Sequence, residues 1–149
     1  MSYAGEFAAL KKKHKDSTSF EGAYAFLDLH ARTAKALEKT NPLEALNQYR
    51  LAESCQQTIG SFATGSGEGL ASMADLYRLM AKRAALEESI AQKAQKDGDP
   101  ATALVHLESA LEIWKEIGGD PNTGKKSAKP KLKIAHFEAE VARVKKQLS

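Results

Sequence analysis

Apolar residues recur at three- and four-residue spacing along most of the chain, which is the pattern of amphipathic helices. The clearest example lies near the C-terminus, where Ile134, Phe137, Val141 and Val144 fall on one helical face. Long runs of β-branched residues, which favour strands, are absent from the sequence. The pattern therefore predicts an all-α protein.

Prolines and short polar residues predict where these helices begin. Asn41-Pro42 and Asp99-Pro100 each place a capping residue before a proline, whose missing N–H is harmless in a first turn. We predict six helices in antiparallel hairpins, over about 2–15, 17–39, 41–59, 68–96, 99–118 and 131–149. The glycine-containing stretches at about 60–68 and 118–130 are expected to be mobile connectors within a single domain, 1–149.

Charge and cysteine content narrow the class of protein. The 149 residues carry 22 basic and 19 acidic side chains, and this small excess argues against a dedicated nucleic-acid binder. The one cysteine, Cys55, cannot form an internal disulfide and is expected as a free thiol in the core. No apolar stretch reaches the roughly 20 residues that span a bilayer, and the N-terminus lacks a secretory pattern. We therefore expect a cytoplasmic protein without a transmembrane segment.

Two segments of the chain align with each other without a gap. They are TNPLEALNQYRLAESC, from Thr40, and GDPATALVHLESALEI, from Gly98. In each, two alanines flank a larger residue, which is Tyr49 in the first segment and Leu107 in the second. The alanines are Ala45 and Ala52 in the first segment and Ala103 and Ala110 in the second. Small residues at this spacing allow neighbouring helices to approach closely, as in a helical-hairpin repeat.

The second of these segments resembles the second helix of a tetratricopeptide repeat (TPR). Gly98, Asp99, Ala103 and Ala110 match the glycine-aspartate turn and the two alanines of that family, whereas its tryptophan position falls on Glu87. The two aligned segments also start further apart than the family's period. The resemblance implies an irregular, TPR-like, right-handed helical bundle, and an unrelated helical bundle is the alternative.

A narrower resemblance covers the region from about residue 7 to residue 84. The stretches LAESCQQTI and GSGEGLASMADLYRLM resemble the amino-terminal region of the forty-kilodalton huntingtin-associated proteins, which are TPR-like α-solenoids of the soluble-NSF-attachment-protein type. This chain is much shorter and lacks that family's proline-rich middle. The resemblance implies an adaptor for a large α-solenoid such as huntingtin, in vesicle or endosomal traffic and peripheral to endosomal membranes.

The segment GDPNTGKK, at 119–126, is close to a phosphate-binding loop and supplies the alternative function of nucleotide binding. Three features argue against it. The hydroxyl position holds Lys126, the segment follows a helix and not a strand, and Pro121 removes one backbone amide. We therefore expect neither enzymatic activity nor a cofactor. The histidines offer no pair at i+3 or i+4, so no metal site is expected either.

Five lysines lie in the overlapping stretch 125–133, which contains no acidic and no aromatic residue. We call them the lysine cluster. It comprises Lys125, Lys126, Lys129, Lys131 and Lys133. The simplest interpretation is a solvated connector, and the alternatives are binding to an acidic protein surface or to anionic lipid. Nucleic acid is disfavoured, because stacking platforms need interleaved aromatic residues and base reading favours arginine.

Together these patterns predict a non-enzymatic adaptor that presents a groove between helices to a protein partner. The groove candidates are Glu88, Gln92 and Gln95, expected as exposed positions on the concave face of the longest helix. The lysine cluster is the second candidate site. The neighbouring acids Glu87 and Glu88 are expected on solvated helix faces.

Overall fold

The computed structural model describes residues 2–121 and 128–149, and the regular structure within these ranges is entirely helical. Its six helices are α1 (Tyr3–His14), α2 (Phe20–Leu37), α3 (Pro42–Gly60), α4 (Ser66–Lys96), α5 (Pro100–Gly118) and α6 (Lys129–Leu148). The predicted all-α class and the six predicted helices are confirmed. In the described part of the chain, no helix combines the length and apolar character needed to cross a membrane.

The helix starts follow the capping chemistry that the sequence indicates. Asn41 and Asp99 each accept a hydrogen bond from the backbone N–H three residues on, at 3.3 and 3.1 Å. Pro42 and Pro100 occupy the first turns of α3 and α5. Between α4 and α5, Gly98 has a φ of 75°, a left-handed conformation that glycine adopts at no steric cost. The turn thus explains why glycine stands at this position.

Two helices begin about two residues earlier than predicted. Helix α4 already begins at Ser66, because the carboxylate of Glu68 accepts hydrogen bonds from the N–H and Oγ1–H of Thr64, both at 2.9 Å. Helix α6 begins at Lys129 and includes Pro130 in its first turn, where a proline is tolerated. Helices α4 and α6 therefore start inside the predicted connectors, at about 60–68 and 118–130, and the mobility of these stretches stays a prediction.

The contacts divide the chain into two compact units, Met1–Met80 and Ala81–Ser149, with the division falling inside α4. We refer to them as the N-terminal and C-terminal units. A single domain over 1–149 stays a prediction.

In the N-terminal unit, α2 packs against both α1 and α3. Ala45 and Ala52 of α3 have no exposed surface, and Tyr49 between them is also buried. Cys55 is a buried free cysteine, as expected for a core thiol. Burial raises the pKa of this thiol, so it stays protonated and unreactive at neutral pH.

In the C-terminal unit, α5 packs against α6, and buried residues of α4 such as Ala84 and Ala91 complete the core. Ala103 and Ala110 of α5 have no exposed surface, and Leu107 between them is buried. The small residues of both aligned segments are therefore core residues, which is the placement that close helix packing requires. The assignment of these segments to TPR-like repeats stays a prediction.

Candidate functional site

A groove in the C-terminal unit lies between the last turns of α4 and the length of α6. We name it the α4–α6 groove and define it by residues that share one face of each helix. They are Glu88, Gln92 and Gln95 of α4, and Lys129, Lys133, His136, Glu140 and Arg143 of α6. The groove contains two cavities, with volumes of about 520 and 250 Å³.

Helices α4 and α6 run in the same direction along the groove. His136 donates from Nε2 to Glu88 at 2.7 Å near its start, and Glu140 and Arg143 lie with Gln92 and Gln95 further along. Two parallel helices with an antiparallel α5 packed beside them form the arrangement that successive helical hairpins produce. Such an arrangement leaves one face of each parallel helix free to line a groove.

The larger cavity lies at the start of α6 and is lined by two lysines. The ammonium groups of Lys129 and Lys133 lie 5.8 and 6.0 Å from the ring centre of Trp114, which is buried. The ring attracts both cations, each by about 0.5–1 kcal/mol. Glu88 and His136 complete the lining with their hydrogen bond. This end of the groove favours an anionic group.

One residue that lines the smaller cavity carries a hydrogen-bond donor for which the described part of the chain provides no acceptor. The amide Nε2 of Gln95 is buried and donates to no group in the described part of the chain. Leu107 and Ala91 provide apolar lining beside it. Leaving such a buried group without a partner costs about 1–3 kcal/mol, so an acceptor that enters this cavity would recover that cost.

An ion pair borders the smaller cavity. Arg143 donates to Glu140 at 2.6 Å across one turn of α6. This hydrogen bond lowers the pKa of Glu140 and raises that of Arg143, so both groups are charged at neutral pH. The groove therefore offers a hydrogen-bond donor for a carbonyl oxygen beside charges of both signs, which suits a polypeptide.

The structure brings the predicted residues together only in part. Gln92 is exposed as predicted, but Glu88 and Gln95 are half-buried, because α6 packs alongside α4. Of the lysine cluster, Lys129 and Lys133 lie in the groove. Lys131 is exposed on α6 and is not among the residues that line either cavity.

The remaining predicted residues of the lysine cluster, Lys125 and Lys126, lie outside the described residues. Most of the phosphate-loop-like segment at 119–126 lies there too, so nucleotide binding stays a prediction. Among the residues that the structure describes, no group of three or more potential ligand side chains could hold a metal ion.

The prediction that Glu87 lies on a solvated face was wrong. Its side chain is 1% exposed and is held by two residues of α5. Nδ1–H of His106 donates to it at 2.5 Å, and the hydroxyl of Ser109 donates at 2.9 Å. In the predicted TPR alignment, Glu87 falls on the family's tryptophan position. This departure from the TPR pattern was the feature of the sequence that could have drawn attention to Glu87.

Three further residues on the α6 side of the groove were not predicted from the sequence. His136, Glu140 and Arg143 recur at intervals of four and three residues, which places them on one helical face. The apolar stripe of the same helix drew attention to its buried face instead. The polar face could have been read from the same spacing.

Comparison with protein-family models, with curated proteins and with solved structures gives no match for this chain. The resemblances to TPR and huntingtin-associated proteins therefore stay predictions.

Proposed function

We propose that this protein is a non-enzymatic, TPR-like adaptor that binds a peptide segment of a protein partner in the α4–α6 groove. The observation that carries the proposal is the buried amide of Gln95, which lines a cavity and has no acceptor in the described part of the chain. A backbone carbonyl of a bound segment would accept this hydrogen bond. Carbonyls recur along any polypeptide, so the donor fits a peptide ligand.

The charges of the groove suggest the direction in which such a segment lies. Lys129 and Lys133 border the cavity at one end, and the pair formed by Glu140 and Arg143 borders the other. A segment with an acidic side chain near the lysines and a carbonyl at Gln95 would satisfy both ends. The lysines would mainly raise the association rate, because exposed charges steer encounters more than they add affinity.

The identity of the partner rests on the resemblance in the N-terminal half of the chain. We propose a large α-solenoid such as huntingtin as the partner. The corresponding setting is cytoplasmic, in vesicle or endosomal traffic and peripheral to endosomal membranes. Binding of acidic surfaces by the lysine cluster is compatible with the same groove, because two of its members line it.

Selection from a random peptide library, displayed on phage, tests the proposal with the intact protein as bait. The affinity of the selected peptides is then measured for two variants, Gln95→Leu and Gln147→Leu. Both replace an amide with an apolar group of similar size, but Gln147 is exposed near the end of α6. We expect Gln95→Leu to weaken binding by about three- to tenfold, the effect of one hydrogen bond, and Gln147→Leu to have no effect.

Two results would contradict the groove as the binding site. One is a selection that yields no peptide enriched over the unselected library. The other is a set of peptides that bind both variants as tightly as the original protein. A double change of Lys129 and Lys133 to glutamine adds a further check, because it should weaken acidic peptides selectively and reduce the dependence of their binding on salt.

The nucleotide alternative makes a separate prediction. If segment 119–126 holds a phosphate, millimolar ATP or GTP will raise the melting temperature and Lys125→Ala will abolish the rise. A melting temperature that nucleotide does not change would remove this alternative.

A further inference from the structure

Three aromatic rings gather at one surface of the N-terminal unit. The ring centres of Phe20 and Tyr24 lie 4.9 Å apart, and those of Phe20 and Phe62 lie 5.7 Å apart, both in edge-to-face geometry. These residues are 44%, 50% and 45% exposed. Aromatic residues make up only 7% of the chain, so three half-exposed rings in contact are an unusual use of them. Exposed apolar clusters of this kind commonly mark binding surfaces.

The rings border a cavity that three helices form. Helix α2 contributes Phe20 and Tyr24, the end of α3 and the turn after it contribute Ile59 and Phe62, and the first turns of α4 close the opposite side. The cavity has a volume of about 300 Å³, the lower end of the range of ligand sites. Its size therefore suits one side chain better than a cofactor.

The charged residues of this cavity are all acidic. Among the described residues that line it, Glu68 and Asp75 of α4 carry carboxylates, and none is a lysine, an arginine or a histidine. Hydrogen bonds from Thr64 lower the pKa of Glu68, which keeps it ionised. Asp75 also pairs with Arg78, on the same helix. The cavity thus combines negative charge with aromatic faces, and both of these features attract cations.

We propose that this aromatic cavity binds a lysine or arginine side chain of a partner polypeptide. The cation would lie against the rings and near the carboxylates, while its aliphatic stem and the flanking apolar residues cover the exposed ring surface. A polypeptide fits better than a free ammonium compound, because the exposed rings extend the apolar surface beyond the cavity itself. The site lies wholly within the N-terminal unit, so it is distinct from the α4–α6 groove.

The probe for this proposal is a capped five-residue peptide with a central arginine between two leucines. Its matched control carries citrulline in place of arginine, which keeps the shape and removes the charge. Binding is followed through the aromatic NMR resonances of Phe20, Tyr24 and Phe62 in the full-length protein. We expect saturable shifts with the arginine peptide and at least about tenfold weaker binding of the citrulline peptide.

Two substitutions locate the site. Phe62→Leu should weaken binding of the arginine peptide about three- to tenfold, the effect of losing one cation–π contact. Glu68→Gln, which keeps a hydrogen-bond acceptor for Thr64, should also weaken it. The control is Leu43→Ala, since Leu43 is 62% exposed in the first turn of α3 and is not among the cavity residues. Thermal melting of each variant establishes that the fold is retained.

Three outcomes would overturn the proposal. Equal affinity for the arginine and citrulline peptides would identify the surface as simply apolar. No shift of the three rings with either peptide would show that the cavity does not take this side chain. Displacement of the arginine peptide by tetramethylammonium at equal concentration would show that a free cation is sufficient for binding, which would rule out a polypeptide as the specific occupant. None of these results depends on whether the α4–α6 groove binds a peptide.

Discussion

The two hairpins whose second helices share the alanine pattern bury different polar groups. In the first hairpin, α2–α3, Nδ1–H of His30 donates to Oε1 of Gln48 at 2.7 Å. In the second, α4–α5, Glu87 accepts from His106 and Ser109. The first pair can be entirely neutral, whereas the second contains a carboxylate. Similar apolar spacing therefore accommodates two kinds of buried polar contact, with different sensitivity to mutation and to pH.

The residue between the alanines also differs, and the difference bears on where a groove forms. Tyr49 in the first hairpin is large, and its hydroxyl donates to Glu38, which links α3 back to the end of α2. Leu107 in the second is smaller and lines the cavity that contains the amide of Gln95. The groove thus lies beside the hairpin with the smaller central residue.

The buried carboxylate of the second hairpin should be the most sensitive position. Glu87→Ala removes the acceptor of His106 and Ser109 and leaves space in the core, so we expect a loss of about 3 kcal/mol in unfolding free energy. Urea denaturation followed by circular dichroism measures it. The control, Glu108→Ala, changes an exposed glutamate of α5 and should cost less than about 0.5 kcal/mol. Equal losses for the two variants would contradict the buried role of Glu87.

Enlarging a buried alanine should lower the unfolding free energy by a similar amount in the two hairpins. Ala52→Leu and Ala110→Leu each force a larger side chain into a site with no exposed surface, so we expect each to cost about 1–3 kcal/mol. Ala36→Leu in α2 and Ala101→Leu in α5 are exposed controls that should be nearly neutral. Thermal melts of the four variants make the comparison. If only one hairpin is sensitive, the two segments do not share the same packing.

The mildest expected effect is a dependence of stability on pH in the first hairpin. Burial lowers the pKa of His30, and the hydrogen bond to Gln48 opposes this only in part. The unfolded chain therefore binds the proton more readily, so the contribution to stability is complete well above the ordinary histidine pKa of about 6.5 and is lost progressively as the pH falls through that value. Between pH 7.5 and 6.0 the loss from this one group is at most about 0.8 kcal/mol.

Denaturation curves at several pH values check this effect. His30→Gln should reduce the loss of unfolding free energy at low pH. His136→Gln, at an exposed position of α6, should leave the contribution of His30 to that loss unchanged. A decline that persists unchanged in His30→Gln would assign the pH dependence to another group.

The secondary structure could be predicted from the sequence because its signals are local. Asn41-Pro42 and Asp99-Pro100 mark helix starts through a cap and a proline that lie side by side in the chain. The positions of Ala45 and Ala103 in the core follow from their spacing with larger apolar residues. The predicted start of α6 is two residues late because the prediction places Pro130 in a connector, although the rule for first-turn prolines applies to it as well.

The candidate site could be predicted on the α4 side and, on α6, only at Lys129 and Lys133. Gln92 and Gln95 were found because they share a face of a long helix, which one segment reveals. Their partners on α6 and the burial of Glu87 depend on contacts between residues far apart in the chain. Glu87 meets His106 across a turn, and Glu88 meets His136 from another helix. No local sequence pattern predicts these contacts, so only the folded structure shows them.

The side-chain amide of Gln95 provides the most direct test of the peptide-binding groove. Its two protons can be followed by nitrogen-edited NMR while a library-selected peptide is titrated into the full-length protein. If the groove binds as proposed, this amide resonance shifts and its exchange with water slows, because a carbonyl of the peptide now accepts from Nε2. If the peptide saturates the protein and the resonance of Gln95 stays unchanged, the α4–α6 groove is not the binding site.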